Sequence, residues 1–164
     1  MARLSRNRDY DLSAFDEVIR NLDNVISDSV DAVGKHIIDK AKESFRTKSF
    51  ENEVWKGTLF PTRSTGNLAN SLTQNKIGKT TVQITSSLPY GNIQNYGGKI
   101  RITDKMRKFF WAKFKSTGDS RWKGLALSRK QFIKIPKRTF IGDTPKLQLE
   151  ITDIVVTEFN KLTR

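Results

Sequence analysis

The sequence predicts an α+β fold, with a long N-terminal helix and a C-terminal helix packed on a mainly antiparallel β-sheet. Three observations carry that prediction. Apolar residues step by threes and fours from residue 13 to about residue 47, they alternate with polar ones in short runs through the middle, and they return to helical spacing after Pro145. The predicted order is helix, β-hairpin, short helix, strand, helix, strand, helix. At 164 residues the chain is one domain by length, residues 13–164, preceded by a flexible basic arm over residues 1–12.

The first helix is the strongest element. Phe15, Val18, Ile19, Leu22, Val25, Ile26, Val30, Val33, Ile37, Ala41 and Phe45 form one stripe that needs a broad apolar partner surface. Ser13 with Asp16 resembles a capping box. Acids in the first turn and Lys40, Lys42, Arg46 and Lys48 near the end suit the helix dipole. Residues 48–66 read as a loop anchored by Trp55 and Phe60. A helical turn near Asn67 leads into a hairpin, Ser71–Ile77 and Thr81–Ser87, turning at Gly78. Pro89 opens a short helix ending at Tyr96, and Gly97-Gly98 stops it by supplying a residue free to take positive φ.

Lys99–Thr103 is a half-buried strand, and Thr103 or Asp104 caps a helix reaching about Lys115. Met106, Phe109, Phe110 and Phe114 share its apolar face, with Trp111 off that face. Residues 116–123 read as a loop, Gln131–Ile135 as a strand ended by Pro136, and Thr144-Pro145 as the start of the closing helix. Leu147, Ile151, Ile154, Val155, Phe159 and Leu162 form that helix's apolar face.

Charge is distributed unevenly. The chain is +13, yet residues 99–138 alone hold 14 of the 30 Lys and Arg and two acids, Asp104 and Asp119, a net of +12. Such a balance points to a polyanionic partner. In a nucleic-acid reading Lys105, Arg107, Lys108, Lys113, Lys115, Arg121, Lys123, Arg129 and Lys130 meet phosphates, while Trp111 or Trp122 stacks on bases. In a membrane reading the 103–115 helix seeks a surface. In a third reading the aromatics are core and the charges are solvated or meet acidic neighbours. Helical spacing assigns Phe109, Phe110 and Phe114 to the core; the charge still asks for a partner.

Catalytic groupings are missing from the sequence. There is no Cys, and the single His, His36, beside Val33 and Ile37, suits an ordinary hydrogen bond. No nucleophile elbow or phosphate loop occurs, the basic block holds only two acids, and the pair Glu51 and Glu53 reads as a solvated loop, so the expectation is a non-enzyme with no catalytic residue, metal or cofactor. No apolar run approaches the roughly 20 residues that span a bilayer, so no membrane partner is expected.

Three motifs occur in order: Thr65-Gly66-Asn67-Leu68, with Ser71-Leu72; Tyr90-Gly91-x-Ile93-Gln94-x-Tyr96-Gly97-Gly98; and Ile135-Pro136-x-Arg138-x-Phe140-Ile141-Gly142. Together they resemble the virion morphogenesis, or tail-completion, proteins of tailed bacteriophages, the group that includes the Mu G-like and P2 S-like proteins. The likeness spans nearly the whole chain after the first dozen residues. Position 91 is Gly where the family more often has alanine, residues 92–94 lack its common histidine, and Thr139 stands where proline is usual.

The resemblance implies a structural protein of the virion neck, assembled in the host cytoplasm. It implies a ring, commonly of six copies, that contacts a head–tail connector or stopper protein and the tail tube, with genomic DNA passing through its lumen. It makes Gly66, Leu68, Tyr90, Gly97, Gly98, Pro136, Arg138, Phe140 and Gly142 fold-defining positions, and Trp111 and Trp122 candidate interface anchors. The alternative is a soluble DNA-binding module acting through residues 99–138, and a nuclease is a distant third.

Overall fold

The computed structural model describes residues 13–56 and 66–161, with side chains from residue 17 onward. The predicted arm, the Ser13–Asp16 capping box, Phe15, Phe60 and Leu162 lie outside the described residues or side chains. The fold is α+β. Helix α1 runs Ser13–Thr47, followed by β1 (Ser49–Phe50), β2 (Glu53–Val54), α2 (Asn67–Asn70), β3 (Leu72–Ile77) and β4 (Thr81–Ser86). Then come α3 (Gly91–Tyr96), β5 (Gly98–Arg101), α4 (Asp104–Thr117), α5 (Ser120–Leu127), β6 (Phe132–Ile135) and α6 (Pro145–Asn160).

The strands form three two-stranded sheets, β1–β2, β3–β4 and β5–β6. Two expected loops contain structure. Residues 48–66 hold the small β1–β2 ribbon, with Ser49 opposite Val54. Residues 116–123 were expected to be loop, but α5 begins at Ser120, where Asp119 accepts a hydrogen bond from the Arg121 backbone N–H at 2.9 Å.

The chain packs as two units. Among the described residues the first combines 13–35, 75–83 and 144–161. Within it the hairpin tip is pinned to α1 by lysines. Lys76 Nζ donates to Ser27 O (2.9 Å), Ser27 Oγ (2.7 Å) and Asp31 (2.9 Å), and Lys79 donates to Asp23 at 2.6 Å. The apolar stripe of α1 is not covered along its whole length. Val18, Ile19 and Leu22 stand exposed, whereas the stripe expectation needed them buried. The second unit, described over residues 36–56, 66–74 and 84–143, holds two cores. One gathers Ala41, Leu68, Leu72 and Phe140, with Ile38, Phe45, Trp55, Leu88 and Ile141 against them. The other gathers Ile102, Phe110, Trp122, Ala126, Ile133 and Ile135.

Gly97 shows why the chain can turn from α3 into β5. Its φ is +72°, and a Cβ there would lie 2.9 Å from Lys137 N and 3.1 Å from Ile135 O. Gly118 has a similar φ of +70° at the end of α4, but nothing lies within 4 Å of its would-be Cβ. Gly118→Ala is therefore expected to cost about 1–2 kcal/mol, the left-handed backbone term alone. Gly97→Ala adds a clash with backbone that cannot swing aside, so its loss exceeds that of Gly118→Ala. Urea unfolding of the two variants checks the order; equal losses would contradict it.

Candidate functional site

Residues 98–135 fold back on themselves into a β–α–α–β module. Thr103 caps α4 by accepting from Met106 N at 3.3 Å. Gly118 ends it, donating its N–H to Phe114 O at 2.8 Å, and Asp119 starts α5 at once. This two-residue link lays α5 against α4, so that Phe110 and Trp122 stack with ring centroids 5.9 Å apart. Ile100 and Ile133 face each other across the β5–β6 ladder, and Gly98 lies opposite Ile135, so the module's two ends meet. The ladder extends one step beyond β5 through Ile102 N to Gln131 O at 2.8 Å.

The predicted basic residues divide by role. Lys105, Lys108, Lys113, Lys115, Lys123, Arg129 and Lys130 are exposed. At about 100° per helical residue, Lys105, Lys108 and Lys115 form one stripe on α4 around Ala112, opposite buried Phe110. Lys113 sits 5.8 Å from the Phe109 ring centre and Lys123 5.7 Å from that of Phe114.

Arg107 is not a surface contact. Its guanidinium donates to Ala126 O at 3.3 Å, to Ser128 O and to Lys130 O at 3.3 Å, tying the exit of α5 to α4. Arg121 is exposed but is bound to Asp119 at 2.8 Å. The aromatics exchange places relative to expectation. Trp122 is buried at 4% exposure, so it offers no interface anchor, while Phe109, expected inside, is half exposed. Trp111 is exposed, with its ring edge-on to Phe114 at 5.8 Å.

The three sequence motifs converge beside this module. Leu68 lies in the first core with Phe140. A Cβ on Gly91 would rest 3.5 Å from Leu68, and one on Gly142 would meet Thr139 at 3.2 Å and the Phe50 ring at 3.4 Å. The tie between the second and third motifs is Asn95, buried at 5% exposure. Its Oδ1 accepts from Phe140 N (2.9 Å) and Ile141 N (3.1 Å), and its Nδ2 donates to Ile141 O (2.9 Å). Arg138 adds a backbone bond to Gln94 O at 2.9 Å and side-chain bonds to Gln94 Oε1 (3.4 Å) and Lys56 O (3.3 Å). Trp55 Nε1 donates to Thr139 O at 2.8 Å, so this expected anchor does pack onto the motif.

Asn95 was one of the two variable positions of the second motif, and nothing in its type or spacing marked it. Tyr90 and Tyr96, by contrast, are exposed, so Tyr90 contributes backbone at the start of α3 rather than core packing. Pro136 follows the last residue of β6, and Gly98 opens β5 with Ile93 3.3 Å from its would-be Cβ. Gly66 takes φ +72° immediately before α2.

No protein-family model, no curated protein and no solved structure matches this chain. Among the described residues no helix is long and apolar enough to cross a membrane.

Two predictions follow from these contacts. Asn95→Ala strands the buried Phe140 N–H and the half-buried N–H and carbonyl of Ile141, at about 1–3 kcal/mol for a fully buried unsatisfied group and less for the half-buried ones. Chemical denaturation should show a loss above that of a typical surface variant, and a loss below about 1 kcal/mol would contradict the role of the amide. Asp119 is held below the usual carboxylate range, chiefly by the Arg121 side chain and then by the Arg121 backbone N–H. Its folded pKa is therefore depressed, so its contribution is complete above the unfolded value of about 4 and is lost as pH falls through the folded value. Thermal melts from neutral pH into acid should fall less steeply below that point in Asp119→Asn than in the parent chain; parallel curves would count against the cap.

Proposed function

We propose that this chain is a non-enzymatic structural protein of the phage neck, a tail-completion protein that assembles into a ring joining the tail to the head connector. The observation that carries the reading is the convergence of the three motifs. Segments around Leu68, Asn95 and Phe140, far apart in sequence, meet around one core and one buried amide. That is the expected behaviour of motifs that define a common fold rather than a catalytic site. Exposed Val18, Ile19 and Leu22 supply apolar surface of the kind that a head-to-tail ring buries. Trp111 is the remaining candidate aromatic anchor.

In this reading the partners are further copies of the chain, six by the family resemblance, together with a connector or stopper protein and the tail tube. The chain resides in the virion neck after assembly in the host cytoplasm, and the exposed lysines of the module face genomic DNA in the lumen or an acidic neighbour. Deleting the gene from the phage should yield filled heads and finished tails that do not join, visible by electron microscopy. Normal infectious particles without it would refute the reading.

A second reading is a soluble DNA-binding module acting through residues 99–138. It is favoured by one observation: the basic block has its own core and displays its lysines around it. A monomer that binds duplex DNA tightly, with affinity falling steeply in salt, would favour this reading over the ring.

A further inference from the structure

The outer face of the β5–β6 ribbon carries three cations, one aromatic ring and no acid. Alternation places Ile100, Ile133 and Ile135 inward, against Phe110 and Trp122, and leaves Lys99, Arg101, Phe132 and Lys134 outward. All four are exposed, Phe132 at 48%. The register sets Lys99 directly opposite Lys134 and Arg101 directly opposite Phe132. Like charges at directly opposed positions stand about 5 Å apart at Cβ and weaken a ladder.

Among the described residues no acid relieves this repulsion. Lysines and arginines paired with acids among the described residues include Lys40, Arg46, Lys76, Lys79, Arg121 and Lys161, but not Lys99, Arg101 or Lys134. Of the two acids in the block, Asp119 is engaged by Arg121, and Asp104 sits in the first turn of α4. A four-residue ribbon that keeps an opposed lysine pair beside an exposed phenylalanine suits a ligand that supplies both negative charge and a flat apolar face.

We propose that this face binds single-stranded nucleic acid, with one unpaired base stacked on Phe132 and the adjoining phosphates held by Lys99, Lys134 and Arg101. A duplex offers phosphates but keeps its base faces stacked inside. An acidic peptide answers the cations and leaves the ring unused. Lys99 and Arg101 lie two residues apart on one strand, about 7 Å, comparable to the spacing of successive phosphates in an extended single strand. Phe110 of α4 packs on the inner side of the ribbon, so this face points away from the exposed Lys105, Lys108 and Lys115 stripe. The two basic surfaces are therefore separable by mutation. The inference does not rest on the neck reading, because it concerns the purified chain whatever its place in a particle.

The test is fluorescence anisotropy of the full-length chain with a labelled single-stranded oligothymidine and with a duplex of equal length, over a salt series. Phe132→Ala should weaken single-strand binding by roughly tenfold, the scale of one lost base–aromatic stack, and leave duplex binding unchanged. Replacing Lys99 and Lys134 together by Ala should flatten the slope of log affinity against log salt by about 1.4, two phosphates at roughly 0.7 each. Lys134→Glu should weaken oligonucleotide binding while raising Tm by roughly 1–3 °C, because it turns a like-charge pair into an opposite-charge one. Opposite signs in affinity and stability are not expected of a merely structural lysine. The triple variant Lys105→Ala, Lys108→Ala, Lys115→Ala should retain the stacking-dependent difference between single strand and duplex.

Unchanged single-strand affinity in Phe132→Ala would overturn the proposal, as would equal losses on single strand and duplex. Binding of an acidic peptide or of anionic vesicles that Phe132→Ala abolishes, with no oligonucleotide binding, would overturn it in favour of that occupant. Should Lys134→Glu lower Tm, Phe132→Ala, on the solvent side of the ribbon, decides the matter alone.

Discussion

The side-chain amide of Asn95 is the contact on which the arrangement of the second unit depends. Residues 136–144 have neither helix nor strand to occupy their backbone groups, yet Phe140 is buried there at 5% exposure. A buried irregular segment needs partners for its N–H and C=O groups. The Asn95 carbonyl oxygen accepts from two of those N–H groups and its Nδ2 donates to one C=O, so it serves three at once, and α3 holds it at the right place. The surrounding bonds from Trp55 to Thr139 and from Arg138 to Gln94 and Lys56 fasten the same segment from other sides. Phe140 can then pack on Phe45, ring centroids 4.8 Å apart, and fill the first core.

This anchor also explains how so basic a block is accommodated. The chain leaves the anchor at Gly97, builds a module with its own apolar centre, and returns beside its starting point at Ile135. The lysines need no burial and no internal acid, because the module's Phe, Trp and Ile residues supply its packing. Among the described residues of the block, Arg107 and Arg138 are drawn into structural roles, and Arg121 into a local pair with Asp119.

Much of the fold was legible because long periodic segments declare themselves. The first helix, the 72–86 hairpin, the helix beginning at Asp104 and the closing helix all fall where the spacing placed them. Short elements did not declare themselves. Helix α5 has eight residues, with Gly124 inside, too few turns for a periodic signal, although Asp119 was a readable cap. The β1–β2 ribbon has two residues per strand. Phe109 and Trp122 were assigned to the wrong sides because residues 116–123 read as loop, whereas Trp122 sits on α5, which turns its ring inward against Phe109 and Phe110 of α4. In the site, the exposed lysines were legible from charge alone. The opposed Lys99 and Lys134 were not, since register is a property of the pairing rather than of either strand. Asn95 was not legible either, because a polar residue in a short helix reads as surface until the segment it serves is in place.

The central claim, that one buried side chain holds the irregular segment after β6, is tested most directly by amide hydrogen exchange at Phe140 and Ile141. Neither residue lies in a helix or strand, and the Asn95 carbonyl oxygen is what accepts from both N–H groups. The account predicts that these two amides exchange as slowly as those of the β5–β6 ladder, through cooperative opening rather than local fluctuation. Exchange at the rate of an exposed loop would contradict it.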